Sequence, residues 1–170
     1  MMYKVKLPKS ILKLAASIAL CQSAGLIGSF FTVSSVSSWY NLLNQPAFRP
    51  PNWLFGPVWT TLYTLMGISF YLIWIKLKDK KYSKKAKVIK LSLMIFLIHL
   101  FFNATWSIVF FGLHNIFLAL INILVIWVFI VILISKFWSL DKRASILLFP
   151  YLAWVSFAAT LNYSIWILNR

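Results

Sequence analysis

The chain contains no Glu, and its only Asp residues are Asp79 and Asp141. Neither falls in an apolar run. A carboxylate proton relay, a carboxylate metal site and a Ser-His-Asp arrangement within such a run are therefore excluded. The one cysteine, Cys21, allows no intrachain disulfide and no thiolate metal centre. It reads as a small buried hydrophobe. There is no glycine-rich phosphate loop and no Cys/His cluster, so hydrolytic or ATP-driven chemistry has no residues to carry it. No catalytic residue, metal site or required cofactor is expected. Charged residues make up 11% of the sequence, against ~25% in soluble domains.

What is present is apolar: 62% of residues are hydrophobic. A soluble protein of this composition would expose large sticky patches, so a lipid bilayer is the expected partner. Five runs are long enough to cross a bilayer at ~20 residues each, at about 11–33, 58–77, 91–113, 116–137 and 144–168. Lipid offers the backbone no hydrogen-bond partners, so the runs must be helices; the alternating strands of a β-barrel are missing. The expected fold is all-α, a single-domain integral membrane bundle of five transmembrane helices over residues 1–170. The first run exceeds the 7–15 residues of a signal-peptide core, which favours a span.

The net charge of +15 could suggest nucleic acid, but the charges flank the spans. Lys4, Lys6, Lys9 and Lys13 precede or open the first. Lys76, Lys78, Lys80, Lys81, Lys84, Lys85, Lys87 and Lys90 crowd a lysine-rich loop, 76–90, and Lys136, Lys142 and Arg143 lie between the last two spans. Five crossings put these on one side, leaving Arg49 and Arg170 on the other, a bias of 15 to 2. The positive-inside rule then predicts a cytoplasmic N-terminus and lysine-rich loop, with an extracytoplasmic loop 34–57. No nucleic-acid partner is expected, and a lysine-rich, cysteine-poor multi-pass chain suits a bacterial inner membrane.

The 34–57 loop runs into the second span through WYNLLNQPAFRPPNWLFGPVW, Trp39 to Trp59. Trp39, Trp53, Pro46, Pro50 and Pro51 give it the composition of a stiff aromatic lid rather than a solvated connection. Within the spans, polar and aromatic residues recur at helical spacing. His99, Asn103 and Trp106 share one face, as do Trp154, Ala158 and Asn162, and Trp59, Tyr63 and Gly67. Asn122 is the strongly polar residue of the fourth span, and Pro150 is expected to kink the fifth. Such rows serve either interhelical packing or a ligand cavity, and periodicity alone does not separate the two. His99 reads as a hydrogen-bonded core residue, with haem ligation as the alternative.

The segments QPAFRPPNWLFGPVW ending at Trp59, LYTLMG at Leu62–Gly67, NATWS at Asn103–Ser107 with Phe110–Phe111, LAL at Leu118–Leu120 and PYLAWVSFAATLN at Pro150–Asn162 occur in an order and spacing that resemble the translocator protein family. This is the TspO/MBR or tryptophan-rich sensory protein family, which includes the peripheral-type benzodiazepine receptor. The resemblance implies a five-helix bundle, commonly a homodimer, with a pocket roofed by the first loop. It also implies flat hydrophobic ligands: porphyrins and other tetrapyrroles, sterols and synthetic benzodiazepine-type compounds. Carried over by position, the ligand-binding residues are Tyr40, Trp59, Asn103, Trp106, Trp154, Ala158 and Asn162. Three departures stand out. Asn122 replaces a family acid, and His99 stands where many members have Gln. Tyr163 has no basic residue within five positions, so the family's sterol motif is incomplete.

The expected function is a membrane receptor or sensor that binds tetrapyrroles and modulates their level or traffic. Light-dependent porphyrin breakdown is the enzymatic alternative. Transport of porphyrin- or sterol-like molecules is a third reading, weakened by the lack of an inverted repeat or broken-helix pair.

Overall fold

A computed structural model describes residues 9–170; Lys4 and Lys6 lie outside the described residues. The described chain is helical, without strands, and five helical stretches are long and apolar enough to cross a membrane. It is a multi-pass membrane protein. Helix α1 covers Lys9–Val36, a four-residue α2 covers Trp39–Leu42, and α3 covers Asn52–Trp74. Then follow α4 (Ala86–Ser107), α5 (Ile116–Trp138), α6 (Lys142–Ile146) and α7 (Phe149–Leu168).

The polar residues of α1 are kept helical by local bonds. Ser17 Oγ donates to the Lys13 carbonyl at 2.8 Å and Thr32 Oγ1 to Gly28 at 2.9 Å, which satisfies their hydroxyls without water. The two carboxylates are spent on helix starts. Asp79 accepts from Lys81 N at 2.9 Å, and Asp141 accepts from Arg143 N at 3.0 Å to cap α6. Asn115 caps α5 by accepting from Leu118 N at 2.9 Å.

Three crossings differ from the sequence expectation in a boundary or in their regularity. The second crossing starts at Asn52 rather than 58, so the irregular part of the lid shrinks to residues 43–51. Pro51 supplies the extended N-cap, and Pro57, early in α3, removes a single backbone donor. The third crossing ends in a π-helical turn, Ile108–Gly112, where Leu113 N bonds the Ile108 carbonyl at 2.9 Å and His114 takes φ 52°. The fifth is broken between α6 and α7, and Pro150 sits in the first turn of α7, where its missing N–H costs nothing. It starts a helix rather than kinking one.

In the bundle, α1 packs between α3 and α4, α4 against α5, and α5 against α7. Short α6 bridges α3 and α5 at the lysine-rich end. That end is densely filled. Phe70 meets Phe96 at 5.0 Å between ring centroids, Phe96 stacks on Phe137 at 6.3 Å, and Ser69 Oγ donates to the Ala144 carbonyl at 2.7 Å. Gly67 lets α3 touch the α1 backbone: a Cβ there would lie 2.6 Å from Ile18 Cα. The end is tied by Lys76 Nζ to Asp141 Oδ2 at 2.9 Å, with Arg143 on the same oxygen at 3.3 Å. Burial opposes ionisation of Asp141, but the Arg143 and Lys76 hydrogen bonds and the Lys76 charge prevail and hold its pKa below the usual carboxylate value.

Candidate functional site

Toward the Trp/Pro end the helices separate around a cavity of about 550 Å³. That falls within the ~300–1,000 Å³ of small-molecule sites. Every helix that crosses the bilayer contributes to its wall. Helix α1 supplies Gln22, Gly25 and Ser29, α3 supplies Phe55 and Trp59, α4 supplies Asn103 and Trp106, α5 supplies Ile123 and Ile126, and α7 supplies Trp154 and Ala158. Leu26 and Val33 of α1 also line it although they are 70% and 73% exposed, so the cavity opens along the face of α1.

Tyr40, Trp59, Asn103, Trp106, Trp154, Ala158 and Asn162 all lie in this wall. The helical spacing that put Trp154, Ala158 and Asn162 on one face therefore points them at the cavity. The lid residues behave differently: none of Trp39, Pro46, Pro50, Pro51 and Trp53 is in the wall. Trp39 stacks on His114 at 4.3 Å and meets Phe110 edge-on at 5.6 Å, buttressing a wall residue from behind. Trp53 is 71% exposed. The contribution of residues 34–57 to the wall comes from Val36, Ser37, Tyr40, Asn52, Phe55 and Gly56.

Two of the wall asparagines, Asn103 and Asn162, are engaged with other helices. Tyr63 Oη donates to Asn103 Oδ1 at 2.6 Å, and Asn103 Nδ2 donates to Tyr151 Oη at 2.8 Å. Tyr151 Oη also lies 2.8 Å from His99 Nε2. Asn162 accepts from Trp106 Nε1 at 3.2 Å and donates to the Ile116 carbonyl at 3.0 Å. These bonds join α3, α4, α5 and α7 around the cavity, so the asparagines brace the wall. Trp154 Nε1 is, among the described wall residues, the buried polar atom with no partner. Trp59 stacks on Tyr63 at 5.4 Å, Trp106 on Phe110 at 5.2 Å, and Phe55 stands edge-on to Trp154 at 5.8 Å. The result is a set of aromatic planes locked by their neighbours.

His99 is fully buried and outside the wall, in keeping with a hydrogen-bonded core residue. No group of three or more His, Cys, Asp or Glu that could hold a metal occurs among the described residues. Asn122 also lies outside the cavity. Its Nδ2 donates to the Phe102 carbonyl at 3.3 Å and Thr105 Oγ1 at 3.2 Å, which makes it a link between α4 and α5. Of the two roles open to Asn122, packing between helices is the one it fills; Tyr63 and Asn103 line the cavity, with Tyr151 behind them.

Tyr63 belonged to a face recognised in the sequence. Gln22, Phe55 and Phe110 are wall residues that sequence reasoning did not single out. Gln22 follows Cys21 in an apolar run with no spacing partner, although as the sole amide of that run it was a usable signal. Its Nε2 donates to the Thr60 carbonyl at 3.0 Å and Thr64 Oγ1 at 3.1 Å. Beside the wall residue Tyr40, Arg49 lies 5.8 Å from the ring centroid. Burial pushes the Tyr40 phenol up, with the Arg49 charge pulling the other way.

Residues 17–167 match the TspO/MBR family. The chain is 42% identical over 160 residues to the tryptophan-rich protein TspO of Archaeoglobus fulgidus, covering 94% of this chain and 99% of that one. It is 35% identical over 153 residues to the translocator protein of Homo sapiens, covering 89% and 88% respectively. Against the tryptophan-rich sensory protein of Cereibacter sphaeroides identity is 32% over 152 residues, with coverage of 89% and 88%.

Proposed function

The chain belongs to the TspO/MBR family, and from that premise we propose that it is a membrane receptor or sensor for tetrapyrroles of the porphyrin class. Binding would modulate their level or traffic. The observation that carries this reading is the cavity of about 550 Å³ walled by Trp59, Trp106 and Trp154. Flat conjugated ligands gain from offset or edge-on contact with such rings, and rings already fixed by Tyr63, Phe110 and Phe55 lose little freedom on binding. The Trp154 indole N–H, without a partner, is a donor available to a ring nitrogen or carbonyl.

The sensory and translocator names of the relatives accord with a protein that binds and passes on a small hydrophobic molecule. The proposed setting is a cell membrane with the lysine-rich end toward the cytoplasm, and the proposed assembly is a homodimer. Titration of the purified protein with protoporphyrin tests the reading. Tryptophan fluorescence should quench saturably, and Trp154→Ala should weaken the affinity about tenfold, ~1.4 kcal/mol. Unchanged affinity in that variant would remove Trp154 from the site.

A further inference from the structure

Of the 17 basic residues, Arg49 and Arg170 are the two assigned to the Trp/Pro end. Arg170 lies over the Trp166 ring at 5.8 Å. Arg49 stands instead against two residues of the cavity wall, held in a turn by its own N–H bonded to the Pro46 carbonyl at 3.0 Å. Its Nη1 donates to Asn52 Oδ1 at 3.2 Å and its guanidinium lies 5.8 Å above Tyr40. Asn52 and Tyr40 are both wall residues, so the cation is fixed one side chain behind the wall. It is half-buried, and among the described residues it has no carboxylate partner. The ion pairs there are Lys76 and Arg143 with Asp141, at the opposite end of the bundle. A guanidinium offers five donors in a planar fork, and a single hydrogen bond, to Asn52, occupies it.

An apolar cavity with one uncompensated cation against its wall suits a ligand with an apolar body and an acidic edge. We propose that Arg49 is the carboxylate-recognition residue of this cavity, selecting flat hydrophobic ligands that carry a carboxylate over their neutral counterparts. The inference rests on the tetrapyrrole reading above and sharpens it: the ring lies among Trp59, Trp106 and Trp154, and an acidic side chain points to the Trp/Pro end. Arginine pairs with a carboxylate through two parallel charge-assisted hydrogen bonds. A carboxylate drawn against the apolar wall without that partner would be disfavoured.

The test compares protoporphyrin, a dicarboxylic acid, with its dimethyl ester, read by tryptophan quenching of the purified protein in detergent. The wild-type protein should bind the acid about tenfold more tightly than the ester, the scale of one charged hydrogen-bond pair. Arg49→Gln should bring the acid down to the ester's affinity and leave the ester unchanged, which also shows that the variant is folded; Arg49→Lys should retain part of the preference. Equal affinity of the wild type for acid and ester, or a preference that survives Arg49→Gln, overturns the assignment and leaves the tetrapyrrole reading standing. Loss of both ligands in Arg49→Gln makes the residue structural and overturns it as well. An acid preference seen in detergent but absent in phosphatidylglycerol vesicles assigns Arg49 to a lipid phosphate instead. Absence of saturable binding of either porphyrin to the wild type removes the tetrapyrrole reading itself.

Discussion

The same helices that close into a solid core at the lysine-rich end stand apart at the Trp/Pro end. Where Gly67 admits Ile18, Phe70, Phe96 and Phe137 fill the interior and Lys76 pairs with Asp141. Two turns away, large aromatic side chains surround open space instead of filling it. The difference lies in what each end asks of its polar groups. At the solid end they cap helices and cross-link them. At the hollow end Tyr63, Asn103, Tyr151 and His99 form a buried chain that holds three helices at a fixed separation. A cavity persists in a bundle when its walls are braced from behind, and here the bracing is polar beneath and aromatic above.

Breaking the solid end should have the largest effect. Gly67→Leu drives a side chain into the α1 backbone, where even a Cβ is too close. It should cost about 3 kcal/mol, the upper range for overpacking, read as a lowered thermal midpoint in detergent. Gly56→Ala at the hollow end, with nothing within 4 Å of its Cβ, should be neutral or stabilising by up to ~1 kcal/mol.

Cutting the polar chain is the next test. Tyr151→Phe strands His99 Nε2 and the Asn103 amide. Unsatisfied buried groups cost ~1–3 kcal/mol, whereas interhelical bonds in membranes average ~0.6 kcal/mol; a loss of about 1–2 kcal/mol is expected, together with weaker ligand binding as Asn103 loses its anchor. A stability loss with wild-type affinity would show that the chain does not hold the wall.

The smallest effect concerns the lysine-rich tie. Because the pKa of Asp141 is depressed in the folded state, its contribution is complete above the unfolded value of ~3.9 and is lost as pH falls through the folded value. Asp141→Asn should lower stability by about 1 kcal/mol at neutral pH, a gap that closes on acidification below pH ~4. Ligand affinity at the far end should not change.

The five crossings were legible because lipid imposes long apolar runs on any helix that spans it. So were the cavity-facing rows, because residues three or four apart must share a helical face. The lid was harder. Trp39, Pro50, Pro51 and Trp53 are conspicuous in sequence, yet the wall is made by less conspicuous neighbours, Asn52, Phe55 and Gly56. The reason is that α3 begins at Asn52, six residues early, and turns those side chains inward. Asn122 was open in sequence for a related reason: polarity within a span marks an interior face but does not say which interior. The engagement of Asn103 by two tyrosines on other helices could not be read from spacing within one helix.

The most direct measurement fills the cavity without touching its braces. Ala158 lies in the wall on α7, and Ala158→Leu places an apolar side chain into open space. If the cavity is the binding site, this variant should keep the wild-type thermal midpoint and bind protoporphyrin at least about tenfold more weakly. Wild-type affinity in the filled variant would contradict a ligand site between these helices.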